Sequence, residues 1–143
     1  MTSEDYFELL RENDTPIALA LAPEGFDILK AKREVLKLQS ALESQLGFKP
    51  LLDGQIQDAT FFEELNIQPK INRNVYAVIR FSKFGRLVTI LFPEKLSEEK
   101  FTLILNELAE HKYTYIPSLI LESPYNGKVI GIETWRHRFS DWL

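Results

Sequence analysis

Val75-Tyr76-Ala77-Val78-Ile79-Arg80-Phe81-Ser82-Lys83-Phe84-Gly85-Arg86-Leu87-Val88-Thr89-Ile90-Leu91-Phe92-Pro93 decides the fold class. Val75, Ala77, Ile79 and Phe81 alternate with Tyr76, Val78, Arg80 and Ser82, the period-2 pattern of a strand with two different faces. A second apolar run, Leu87 to Phe92, follows after Lys83-Phe84-Gly85. Two such runs joined by a short loop predict a β-hairpin. Gly85 supplies the positive φ that closes a three-residue loop with a bulge, and Pro93, lacking an N–H, stops the second strand. Arg80 lies opposite Ile79 and Phe81 and reads as a solvated strand residue, unless a carboxylate such as Asp58 or Glu133 pairs with it.

Helical segments flank this hairpin. From about Phe26 to Leu46, the residues Ile28, Ala31, Val35, Leu38, Leu42 and Leu46 recur every three or four positions, and Gly47 stands where a left-handed C-cap belongs. The outer face, with Lys30, Arg33 and Lys37, reads as solvated. Ser97 predicts an N-cap, Leu96 and Phe101 a hydrophobic staple, and Phe101, Ile104, Leu105 and Leu108 the buried stripe of a helix that ends near His111. Thr2 or Ser3 caps a first short helix with Tyr6, Leu9 and Leu10 on its apolar face, ended by Asn13-Asp14-Thr15-Pro16. Ile17 to Ala22 reads as a strand held between Pro16 and Pro23. Phe48 to Gln57 reads as extended. Asp58-Ala59-Thr60-Phe61-Phe62-Glu63 offers a cap, with Thr60 and Glu63 at capping-box spacing, and predicts a short helical turn around residues 59–65. Asn126-Gly127 predicts a second hairpin, joining Leu119–Tyr125 to Lys128–Thr134.

Ile132, Trp135, Phe139 and Trp142 share one stripe if the end of the sequence is helical, so they require a covering surface, in this chain or in a second copy. A homo-oligomer through Trp135, Phe139 and Trp142 is therefore one expectation. Together these elements predict an α+β fold: an antiparallel sheet of roughly four to six strands with helices packed on one face, in a single globular domain over residues 1–143.

Composition narrows function mainly by exclusion. The 143 residues are 45% hydrophobic and 27% charged, with net charge −4 and no Cys. Thiolate catalysis, disulfides and Cys-ligated metals are excluded, and a reducing, cytoplasmic setting is the expectation. No apolar run approaches membrane-span length, so no membrane partner is expected. The acidic balance argues against nucleic acid, whose binders neutralise phosphates with Lys and Arg. His111 and His137 are the only histidines and have no metal-ligand spacing, no phosphate loop is present, and no cofactor or metal is expected. His137, Ser140 and Asp141 at i, i+3 and i+4 imitate a triad, but three groups on one side of a terminal helix read as a polar face.

What remains is a small non-enzymatic protein-interaction module. It reads as an inhibitor or immunity-type protein that meets a basic partner through an acidic surface. The candidate binding residues are Asp53, Asp58, Phe61, Glu63 and Glu64, where aromatics lie among carboxylates in a segment free of Lys and Arg. The competing expectation is a small enzyme or ligand-binding domain with a carboxylate/Arg pocket. A deep cavity holding two or more of Asp58, Glu63, Arg80, Glu133 and His137 would be its mark.

Overall fold

The computed structural model describes residues 1–17, 22–67 and 77–143. The central hairpin is present: β3 (Ala77–Ser82) and β4 (Leu87–Leu91) pair antiparallel, with Phe81 opposite Val88 and Val78 opposite Leu91. Gly85 has φ +60°, as the loop requires. Val75 and Tyr76, and most of the Ile17–Ala22 strand expectation, lie outside the described residues.

Among the described residues five strands form one sheet in the order β1-β2-β3-β4-β5. β1 (Leu51–Asp53) and β2 (Phe61–Ile67) extend it antiparallel on one side, and β5 (Thr114–Tyr115) joins β4 parallel on the other. The fold is thus α+β with a mostly antiparallel sheet. β2 corrects one expectation, since residues 61–65 are strand and not helical turn. The local capping pattern lost to tertiary pairing: Phe62, Leu65 and Ile67 reach the core only from an extended backbone. Thr60 caps no helix, because its hydroxyl accepts the Asp141 N–H at 2.8 Å.

One face of the sheet is covered by α2 (Ile28–Leu46) and α3 (Glu98–Glu110). Val35, Leu38 and Leu42 of α2 and Ile104 and Leu108 of α3 bury against Leu65, Ile79, Phe81, Val88 and Ile90. Their caps are as expected: Gly47 is left-handed at φ 80°, and the Ser97 side chain accepts the Lys100 N–H. Thr2 caps α1 (Ser3–Asn13) in a reciprocal box with Asp5.

Leu87 alternates with Val88 and so faces the other way, into a second cluster with Leu10, Phe84, Ile116, Leu121, Trp135 and Phe139. That cluster joins α1, α4 (Ser118–Leu121) and α5 (Trp135–Phe139) over the β4 end of the opposite face. The predicted second hairpin is corrected here, since Leu119–Leu121 is helical and the return is a loop with a single bridge, Pro124 to Thr134. The Tyr125 N–H still donates to the Glu133 carbonyl, but the Lys128 N–H is diverted to the buried Asp14 carboxylate at 2.9 Å, where the Tyr125 hydroxyl also donates at 2.5 Å. The terminal stripe is also shorter than expected. α5 stops at Phe139, Ser140 turns out at φ −150°, and Trp142 is reached by an antiparallel bridge to Ala59.

Candidate functional site

Strand register converts sequence into rows across the face that α2 and α3 leave uncovered. Leu51, Asn66, Val78 and Leu91 form one row; Asp53, Glu64, Arg80 and Thr89 form the next. Phe61 and Ser82 pair beyond them. The C-terminal segment closes this third row, because Trp142 stands edge-on to Phe61 with ring centroids 4.9 Å apart. Thr60 N–H donates to the Asp141 carbonyl at 2.9 Å and Leu143 N–H to the Asp58 carbonyl at 2.6 Å, so this segment is held to the start of β2.

Among the described residues no helix covers the two inner rows, although Glu64, Val78, Arg80 and Thr89 within them are themselves buried. Asp53, Glu64, Asn66, Val78, Arg80, Leu91 and Phe92 line a shallow hollow of about 530 Å³. Its floor is an ion pair: Arg80 Nε donates to Glu64 Oε2 at 2.9 Å, and Arg80 Nη1 to the Ser140 carbonyl at 2.8 Å. The guanidinium also lies 4.1 Å over the Phe61 ring. Arg80 is therefore buried and structural, and its partner is Glu64 rather than Asp58 or Glu133. Around the floor stand exposed apolar side chains, Leu51 at 52%, Phe92 at 51% and Trp142 at 48% exposure.

The five candidate residues divide between rim and interior. Asp53 and Asp58 are exposed, whereas Phe61 is fully buried, Glu63 is 4% exposed and Glu64 9%. A bulge between Phe61 and Glu63 turns Glu63 to the helix-covered face, opposite Phe81. There Gly54 leaves room for its carboxyl group, and burial pushes the Glu63 pKa up despite the nearby Lys32 ammonium. Neither Glu63 nor Glu64 can serve as a free charged rim. Reading residues 61–67 as a strand would have shown this, because Glu64 and Asn66 alternate with Glu63, Leu65 and Ile67.

Other candidates separate. The Ser140 hydroxyl is buried without a hydrogen-bond partner, so it does not meet the His137 imidazole, and Asp141 Oδ1 accepts the Trp142 N–H at 2.9 Å. The three groups do not assemble a triad. His111 caps α3 with Nδ1 2.9 Å from the Glu107 carbonyl. A second cleft, about 410 Å³, lies between α2 and the hairpin loop, lined by Phe26, Phe62 and Tyr113 together with Lys30, Glu34 and Arg86. Arg86 is engaged there by Glu34 and lies 4.2 Å over Tyr113. Among the described residues no group of three or more His, Asp and Glu could hold a metal, and no helix is long and apolar enough to cross a membrane. Comparison with family models, curated proteins and solved structures found no match to this chain.

Proposed function

We propose that the protein is a small binding module, of the inhibitor or immunity type and working in the cytoplasm, that recognises a basic protein through the open half of its sheet. The carrying observation is the juxtaposition of exposed Leu51, Phe92 and Trp142 with the exposed carboxylates Asp53 and Asp58, over a floor in which Arg80 is paired with Glu64. Apolar anchors inside a charged rim are the anatomy of protein interfaces, and opposite charge speeds encounter. Burial of Trp135 and Phe139 within the chain leaves Trp142 as the aromatic member of the terminal stripe available to a partner.

Asp53, Glu64 and Arg80 around one hollow favour a second reading, a carboxylate/Arg ligand pocket. Of the five residues that would mark such a pocket, Arg80 alone lines either described cleft, and its Nε and Nη1 are already bonded within the chain. The interaction reading is the stronger. Affinity recovery from the native cell extract with two baits tests it, the parent chain and the Asp53→Lys/Asp58→Lys variant. A basic protein recovered by the parent and lost by the variant supports the proposal; identical recovery by both overturns it.

A further inference from the structure

The edge of the sheet beside this face is built in a way its exposure alone does not explain. β1 is the outermost of the described strands, and Leu51, Leu52 and Asp53 are all exposed. A short, exposed edge strand ordinarily frays. Here two side chains of α2 hold the carbonyls on either side of it: the buried Gln39 Nε2 donates to Pro50 O at 2.8 Å, and Lys32 Nζ to Gly54 O at 3.0 Å. Lys32 and Gln39 are seven residues apart, two turns of one helix face. Both ends of β1 are therefore fixed to the core, and a chain pairing with it would not have to order it first.

We infer that β1 is a docking edge, and that the basic partner adds an extended segment to it as a sixth strand, with a lysine or arginine beside Asp53. This rests on the binding reading above and adds the partner's conformation to it. Main-chain bonds to an open edge supply affinity, and alternate side chains supply specificity. Asp53 and Leu51 point to the open face, so the added strand would carry a basic residue and an apolar residue two positions apart. Charge complementarity selects the occupant. A second copy pairing antiparallel about Leu52 would place Asp53 against Leu51, desolvating a carboxylate with no cation opposite it.

The probe is a capped seven-residue peptide of alternating threonines with one arginine and a valine two positions away, titrated into the ¹⁵N-labelled full chain; its counterpart carries glutamate for arginine. The arginine peptide should bind in the micromolar to millimolar range, shift the amides of Leu51, Leu52 and Asp53 and slow their hydrogen exchange. The glutamate peptide and the Asp53→Asn chain should each bind about tenfold more weakly. Binding that shifts Phe92 and Trp142 while leaving the β1 amides unmoved overturns the edge proposal but not the acidic-face reading. No binding of the arginine peptide, or equal binding of both peptides, also overturns it. So does concentration-dependent protection of β1 in the chain alone, which would make the occupant a second copy.

Discussion

Arg138 has no exposed surface, and its Nε donates to Asp14 Oδ1 at 2.7 Å across 124 positions of sequence. Burial alone would raise the Asp14 pKa. Hydrogen bonds from Tyr125, the Lys128 N–H and Arg138, with the Arg138 charge, more than offset that and hold it below the ordinary range. Removing one partner of a buried pair strands the other, so Arg138→Leu should cost about 3–5 kcal/mol in urea unfolding. Because the native Asp14 pKa is depressed, its contribution is full above the ordinary carboxylate value and is lost as pH falls through the native one. Glu63 has the opposite sign. Its raised native pKa means the folded state holds a proton that the unfolded state has released, so stability falls as pH rises from the ordinary carboxylate value through the native one. Glu63→Gln should therefore raise the melting temperature at neutral pH and remove that part of the slope; melts from pH 4 to 8 on both chains measure it. The Asp14 environment is not legible in the sequence, because its partners come from residues more than a hundred positions away. Arg80 reads as a solvated strand residue and Arg138 carries no local sign of burial, and each is claimed by a carboxylate brought close only by the fold.

Among the elements, what was legible is what local chemistry decides. Thr2, Gly47, Gly85 and Ser97 act within a few residues of themselves, and each does what its residue type predicts. β2 and the 122–134 loop were misread because a local signal met a stronger distant one: the Thr60/Glu63 capping pattern against pairing with β3, and the Asn126-Gly127 turn against Asp14. Gly127 shows the second conflict directly, since a Cβ there would meet Asp14 and Tyr125. Gly127→Ala should therefore destabilise the chain. At the terminal segment, Phe139 is buried against Phe84 and stacked on Trp135, whereas Trp142 is half exposed. Phe139→Ala should cost about 3–5 kcal/mol, and Trp142→Ala about 1 kcal/mol or less, by equilibrium denaturation. Equal costs would mean that Trp142 belongs to the core. Gln39→Ala leaves the Pro50 carbonyl without its buried donor and should cost about 1–3 kcal/mol while loosening β1 in hydrogen exchange.

Across the whole molecule, α2 and α3 occupy one face of the sheet, and α1, α4 and α5 take only the β4 end of the other. The remainder, which no described helix covers, carries the Asp53 and Leu51 rows, with the C-terminal segment folded back along its margin. The α+β class and the two main helices were legible because period and caps are sequence properties; the open face was not, because which residues share it depends on strand register. Whether this face meets a basic partner is tested directly by the association rate of the recovered partner with the parent and with Asp53→Lys/Asp58→Lys, as a function of ionic strength. Both substituted positions are exposed, so the melting temperatures should agree within a few degrees. The parent rate should fall steeply with added salt, while the variant starts at least tenfold slower at low salt and changes little. Equal low-salt rates, with the same salt dependence in both chains, would contradict the claim.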